Sequence, residues 1–261
     1  MKKLIIPIFL LLLSTLLHCQ NLLSVAEFEA AIFKITNQYR ARYQLPPLLP
    51  DEGLSVLARR HARNMSRYNF FSHKDRENLQ VDGRQRKYYP QMMVYSIGEN
   101  LAYHQNYERK YSPAQVVEGW MNSPEHRDNI LSPDYSHLGV GVLLLEDELY
   151  LVQNFAYPVV KMLTPPLKEY SLKQSYPVHF QYVAVEPKET FAAYLILPNK
   201  DTKVMLSPKT YALGIKPLQI TWEEGSVFKL ELPFDYGKGL YRLAFGWNNG
   251  HFPSDFKFQV K

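Results

Sequence analysis

The spacing of apolar residues changes at TPPLKEY, residues 164–170, and this change limits the folds open to the chain. Upstream, apolar residues recur every three or four positions, as in helices that bury one face. Downstream, seven short strand-like runs, including LQITW (218–222), are separated by turn residues, which is typical of a β-sandwich. Since the Pro-Pro pair favours an extended linker, we predict two units, residues 20–160 and 165–261.

The first unit is predicted to contain helices and one hairpin. Ser24 and Glu27 have the spacing of a capping box, a second helix starts at Asp51, and SPAQVVEGWMN (112–122) begins with a cap and a proline. Two apolar runs within 138–156 flank an acidic turn, which predicts a β-hairpin.

Two parts of this unit are harder to assign. Residues 74–97 show no clear periodicity, and a long segment of that kind is often functional. His61 lies on the apolar stripe of the second helix, so we predict that it packs there.

Residues 1–19, MKKLIIPIFLLLLSTLLHC, read as an export signal with a basic start and a short apolar core. The run is too short to predict a membrane span. Cys19, the single cysteine, ends it and resembles the lipidated cysteine of a bacterial lipoprotein signal, although His18 replaces the usual small residue. Ordinary cleavage nearby is the alternative. We therefore expect a cell-envelope lipoprotein or a secreted protein, and we expect it to contact a membrane only through this anchor. The mature body has no second cysteine and thus no disulfide.

The charge of the chain does not indicate a nucleic-acid-binding protein. The formal net charge is +5, and removal of Lys2 and Lys3 leaves 28 basic against 25 acidic residues, or +3. Arginines gather within 58–67, but they are spread around a helix and acids follow nearby, which favours a solvated face.

The segment SPEHRDNIL, residues 123–131, places His126 at the third position of a helix that starts with Pro124. Backbone N–H groups are unpaired there, and the positive end of the helix disfavours protonation of the imidazole. A neutral imidazole can bind a metal or accept a hydrogen bond. One histidine does not make a site, so its partners must come from other motifs.

Four segments follow one another along the chain: FFSH (70–73), IGENLAY (97–103), GWMNSPEHRDNIL (119–131) and YLVQNFA (150–156). Each segment alone is a weak signal, but their order is specific. This order resembles the bacterial branch of the CAP superfamily, the SCP-like domains related to cysteine-rich secretory proteins, antigen 5 and plant pathogenesis-related proteins. The resemblance covers about residues 24–157 and implies an α-β-α sandwich. With the strand-rich C-terminal unit, the expected fold class is α+β.

The resemblance also implies a cleft that carries two histidines and usually two glutamates. By motif, the first histidine, first glutamate and second histidine correspond to His73, Glu99 and His126. Asn100 and Asn129, beside these motifs, are predicted to hold their loops through backbone hydrogen bonds.

The fourth cleft position stays open in the sequence. The second glutamate of eukaryotic members falls on Ser123 here, and Glu118 and Glu125 are the nearby alternatives. His73 and His126 with one carboxylate would form a partial shell for zinc or another divalent metal, which needs about four ligands.

We predict binding rather than catalysis, and we assign no catalytic residue. An open metal shell could activate water, but the chain has no HExxH segment, no nucleophile elbow and no cysteine for a Cys-His pair. The ligand or partner would be a lipid, a small molecule or a surface partner, with lipid and sterol binding implied only by the resemblance. The alternatives are a metal-dependent hydrolase using the same cleft and an adhesin acting through residues 165–261.

Overall fold

The computed structural model describes residues 23–105, 112–248 and 250–261. The predicted export signal and Cys19 lie outside these ranges. In the described ranges, no helix has both the length and the apolar character needed to span a membrane.

The described chain contains five α-helices, and the four starts that the sequence predicted are confirmed. They are α1 (Val25–Arg42), α2 (Glu52–Arg67), α3 (Val81–Tyr88), α4 (Pro113–Asn122) and α5 (Pro124–Leu131). Ser24 and Ser112 each form a capping box, and the carboxylate of Asp51 accepts the Leu54 N–H at 2.7 Å. Helix α3 lies in the segment whose sequence showed no clear period.

The strands fall into one long sheet, one shorter sheet and a separate ribbon. They are β1 (Leu49–Pro50), β2 (Met92–His104), β3 (His137–Leu145), β4 (Glu148–Met162), β5 (Ser175–Tyr182), β6 (Phe191–Ile196), β7 (Lys203–Ser207), β8 (Thr210–Leu213), β9 (Ile215–Leu218), β10 (Thr221–Trp222), β11 (Val227–Pro233), β12 (Gly239–Trp247) and β13 (Phe252–Val260). The long sheet has the order β1-β3-β4-β5-β11-β10, with β2 pairing β4; the shorter one has the order β13-β12-β6-β9. The predicted hairpin is confirmed as β3–β4.

Strand β4 is buried on both faces, which explains its nearly continuous apolar sequence. Leu151 packs in a cluster with residues of α1, α4 and β3, whereas the next residue, Val152, packs in a cluster with Ala58 and Met65 of α2. Because successive side chains of a strand point to opposite faces, helices cover both sides of the sheet. The predicted α-β-α sandwich is thereby observed.

The C-terminal region is strand-rich, as expected. Strands β5 and β11 of the long sheet and β6, β12 and β13 of the shorter sheet share one aromatic core, which includes Phe180, Phe228 and Phe245. The prediction of one strand at 218–222 was wrong: β9 ends at Leu218 and β10 starts at Thr221, and the two belong to different sheets. A short apolar run of this kind does not show in its sequence where the chain crosses between sheets.

The long sheet continues across the junction between the two predicted units. Val160, Lys161 and Met162 at the end of β4 pair with Tyr182, Gln181 and Phe180 of β5. Val160 and Met162 also belong to the C-terminal core. The boundary between 160 and 165 stays a prediction, and pairing of β4 with β5 in one sheet joins its two sides.

Candidate functional site

His73 and Glu99 are hydrogen-bonded to each other. His73 lies in the loop after α2, and Glu99 lies on β2, with His73 Nδ1 2.9 Å from Glu99 Oε1. Because a carboxylate oxygen accepts, Nδ1 carries the hydrogen, and in the tautomer with this single ring hydrogen Nε2 is left as an acceptor. The Glu99 side chain is 2% exposed and the His73 side chain 53% exposed. A buried carboxylate thus orients an imidazole that faces solvent.

Arg84 on α3 holds the other oxygen of this carboxylate. Its guanidinium forms an ion pair with Glu99 Oε2, and both side chains are only 2% exposed. Its Nη1 also donates to the backbone carbonyls of His73, at 2.7 Å, and Leu79, at 2.9 Å. Arg84 therefore fixes both the carboxylate and the backbone of the loop that carries His73.

Sequence reasoning missed Arg84. Helix α3 reads VDGRQRKY, and three of its eight residues are basic. Arg86, two positions on, forms an exposed ion pair with Asp82. No local pattern separates the buried arginine from its exposed neighbour, so only the tertiary fold identifies it.

His61 supports the same loop from α2. It is fully buried there, as its position on the apolar stripe predicted. Its Nε2 lies 2.9 Å from the carbonyl oxygen of Ser72, so Nε2 donates, while Nδ1 has no hydrogen-bond partner in the described structure. Burial lowers the pKa of His61 below the ordinary histidine value. A neutral His61 thus anchors the residue that precedes His73.

His126 occupies the predicted third position of α5, after Pro124. Burial lowers its pKa, His73 lowers it further, and Glu125 acts in the opposite direction. The influence of His73 shows that the two rings share one electrostatic environment. His126 is therefore a neutral imidazole near pH 7. We use the term cleft for the candidate site that comprises His73, Glu99 and His126.

Two asparagines fix α5 against β2. Asn100 Nδ2 donates to the carbonyl of His126 at 3.0 Å. Asn129 Nδ2 donates to the carbonyl of Glu99 at 3.3 Å and to Asn100 Oδ1 at 2.9 Å. The predicted backbone hydrogen bonds of both asparagines are confirmed, and they set the position of His126 relative to Glu99.

The fourth cleft position has no buried carboxylate in the described structure. Glu118 on α4 and Glu125 on α5 are both exposed, and neither has a hydrogen-bond or ion-pair partner among the described residues. Ser123 precedes α5 without capping it through its side chain. A ligand contact by Glu118 or Glu125 stays a prediction.

The donor set of the cleft does not fit a metal held by three protein ligands. No group of three or more His, Cys, Asp or Glu side chains is placed to hold a metal ion within the ranges that the structure describes. Both oxygens of Glu99 are already bonded, one to His73 and one to Arg84. A guanidinium bonded to the carboxylate repels a cation at the same place. Metal binding by His73 and His126 alone stays a prediction.

Comparison with known proteins identifies relatives of the N-terminal half. Residues 33–155 match the sequence profile described as CAP, cysteine-rich secretory protein family. Uncharacterized protein YkwD of Bacillus subtilis (strain 168) is 35% identical over 118 residues, which are 45% of this chain and 43% of that protein. Uncharacterized membrane protein YlbC of the same organism is 37% identical over 127 residues, 49% of this chain and 34% of that protein. The chain thus spans less than half the length of either relative.

Solved structures match a similar share of the chain. An extracellular protein containing a SCP domain from Bacillus anthracis str. Ames is 29% identical and covers 49% of this chain and 40% of its own, with a TM-score of 0.43. An outer surface protein from Borrelia burgdorferi is 20% identical and covers 51% of this chain and 95% of its own, with a TM-score of 0.45.

Proposed function

Because residues 33–155 make the chain a member of the CAP, cysteine-rich secretory protein, family, we propose that it is an exported protein whose cleft binds a ligand. The family resemblance of the motifs is confirmed by this match. Export rests on the signal-like pattern of residues 1–19. The binding role rests on the contacts of His73, Glu99 and His126.

The observation that carries the proposal is the Arg84–Glu99–His73 arrangement. Each oxygen of Glu99 is bonded to a neighbouring side chain and its side chain is only 2% exposed, so its contacts suit positioning of His73 better than proton exchange with a substrate. A metal-dependent hydrolase would need Glu99 either as a ligand or as a base. The geometry therefore favours binding over hydrolysis.

The chemistry of the two imidazoles limits the class of ligand. His73 offers Nε2 as an acceptor. Because the pKa of His126 is lowered, its ring is neutral near pH 7 and one of its nitrogens is a second acceptor. Two acceptors suit a ligand that presents a hydroxyl or another hydrogen-bond donor. A lipid or sterol with a hydroxyl headgroup, the class implied by the family, meets this requirement, and a divalent ion bound weakly by two nitrogens is the other ligand.

The test is a titration of the chain labelled with ¹⁵N-histidine, followed through the imidazole nitrogen signals. The ligands added are zinc chloride, and cholesterol or monoolein in detergent micelles. We expect at least one to shift the signals of both His73 and His126. The exposed His251 provides an internal control.

Two results would contradict the proposal. One is that none of the three ligands shifts either cleft signal. The other is that a shift at His126 persists unchanged in His73→Ala, since one shared ligand must depend on both rings. For zinc, binding should fade as pH falls through about 6.5, because an imidazole must lose its proton to bind a metal.

A further inference from the structure

Strands β7 and β8 form a two-stranded ribbon that pairs with no other described strand. Val204 on one face of the ribbon is only 3% exposed and belongs to the C-terminal core. Its cross-strand partner is Ala212. One face of the ribbon therefore packs on the body of the protein, and the other face is turned to solvent.

The outer face of the ribbon is apolar. Met205 pairs with Tyr211 across the strands, and Lys203 pairs with Leu213. The exposed fractions are 61% for Met205, 50% for Tyr211 and 53% for Leu213, and Leu206 at the bulge is 51% exposed. Clustered apolar side chains in water mark a surface that meets a partner or a membrane.

The ribbon and its base also carry the excess positive charge of the mature chain. Residues 200–216 contain Lys200, Lys203, Lys209 and Lys216 against the single acid Asp201, a balance of +3. The whole chain without Lys2 and Lys3 has the same balance, because its 28 basic residues face 25 acidic ones. The remainder of the mature chain is therefore neutral overall, and the apolar ribbon sits in the basic part.

Hydrogen bonds at both ends hold the ribbon in shape. At the base, the Gly214 N–H donates to the Thr202 carbonyl at 2.9 Å. At the tip, the hydroxyls of Ser207 and Thr210 are 2.7 Å apart. A preformed surface loses little conformational freedom when it binds.

We propose that this ribbon docks on the surface of an anionic lipid bilayer. Met205, Leu206 and Leu213 enter the interfacial region, and Tyr211 lies at the level of the headgroups, where tyrosine is enriched. The exposed Lys200, Lys203 and Lys209 extend their ammonium groups to the lipid phosphates, since long basic side chains place apolar stems in the interface and charges outside it. The ammonium of Lys216 is bonded to the Tyr236 hydroxyl at 3.2 Å. This contact is separate from the cleft and independent of any lipid on Cys19.

The membrane is favoured as the occupant by the combination of charge and shape. An anionic bilayer offers a continuous negative surface to the lysines and an apolar layer to the side chains between them. A narrow two-stranded ribbon inserts into such a layer without needing a complementary groove. A protein partner, including a second copy of this chain, is therefore an outcome that the test must distinguish.

The test is co-sedimentation of residues 20–261, which include every described residue, with lipid vesicles. We expect binding to phosphatidylcholine vesicles that contain phosphatidylglycerol and weak binding to phosphatidylcholine alone. Each lysine near an anionic surface contributes about fivefold in affinity, so Lys203→Gln/Lys209→Gln should weaken binding by about 25-fold. Met205→Ser/Leu213→Ser should weaken it by at least about tenfold.

Matched controls separate this surface from a general charge or apolar effect. Lys34→Gln/Lys257→Gln removes the same charge from exposed positions elsewhere, and Val56→Ser removes an exposed apolar side chain from α2. Both should bind vesicles like the parent. All variants change exposed residues, and circular dichroism of each variant checks that it is folded.

Three results would overturn the proposal. In the first, phosphatidylglycerol vesicles do not retain the parent chain at all. In the second, the control variants lose as much binding as the ribbon variants. In the third, sedimentation velocity shows a parent dimer that Met205→Ser/Leu213→Ser converts to a monomer, which would make the ribbon an interface between copies.

Discussion

Replacement of Arg84 by methionine should destabilise the protein far more than the same change at Arg86. Both arginines lie on α3 and both pair with an acid, but the Arg84–Glu99 pair is buried and the Arg86–Asp82 pair is about half exposed. Methionine keeps an unbranched, flexible side chain and the helix propensity of arginine but lacks the guanidinium. The comparison therefore isolates burial of the ion pair.

The magnitude follows from what Arg84→Met leaves behind. Glu99 would remain buried with only His73 as a partner, and the carbonyl of His73 would lose its donor. The carbonyl of Leu79 would keep only the Asp75 N–H, at 3.0 Å. Removing one partner of a buried ion pair costs about 3–5 kcal/mol. Arg86→Met should cost no more than about 1 kcal/mol, because exposed pairs contribute little.

The assay is urea unfolding followed by circular dichroism, with a double-mutant cycle. Glu99→Met alone leaves Arg84 buried without its acid, so it should also cost several kcal/mol, whereas Arg84→Met/Glu99→Met removes both charges. The double variant should therefore lose less than the sum of the single losses, by at least about 1 kcal/mol. If Arg84→Met costs no more than Arg86→Met, or the single losses simply add, the buried pair does not organise the site.

Three further predictions concern other parts of the chain. If Cys19 is lipidated, Cys19→Ser should move the protein from the detergent-soluble membrane fraction to the soluble fraction, because multiple acyl chains are needed for firm anchoring; unchanged fractionation rejects the lipoprotein interpretation. Burial lowers the pKa of His61, so the unfolded chain binds more protons below about 6.5 and the free energy of unfolding should fall as pH decreases through that value. Urea unfolding at pH 7.5 and 5.5 should show a smaller difference for His61→Gln, and an equal difference would place the proton uptake elsewhere. Residues 20–160 and 165–261, made separately, should each give dispersed amide spectra but reduced stability, because the β4–β5 pairing is lost; two unfolded fragments would show that the boundary is wrong.

Local features of the sequence were sufficient to predict four helix starts, and motif resemblance supplied the three candidate cleft residues. Ser24 and Ser112 cap through side chains three residues from their partners, and a contact that short is visible in the sequence. His126 was placed correctly because Pro124 fixes the start of its helix. The cleft residues His73 and Glu99 came from motif resemblance, and the structure brings them into hydrogen-bond contact.

Contacts between distant residues were not predictable in the same way. The partner of Glu99 is an arginine fifteen residues earlier on a helix with no periodic pattern. The sheet continues from β4 to β5 because Met162 pairs with Phe180, although a proline-containing loop separates the two residues in the sequence. Burial decides both features, and a local pattern does not specify which of several similar residues becomes buried.

The most direct test of the binding role is a high-resolution crystal structure of the mature protein, purified without chelator. We predict density between the imidazoles of His73 and His126, with Glu99 still bonded to Arg84. Anomalous scattering at the zinc edge would distinguish a metal from an organic ligand. A cleft that contains only ordinary solvent, in crystals grown from that material and soaked with zinc and with monoolein, would contradict the account.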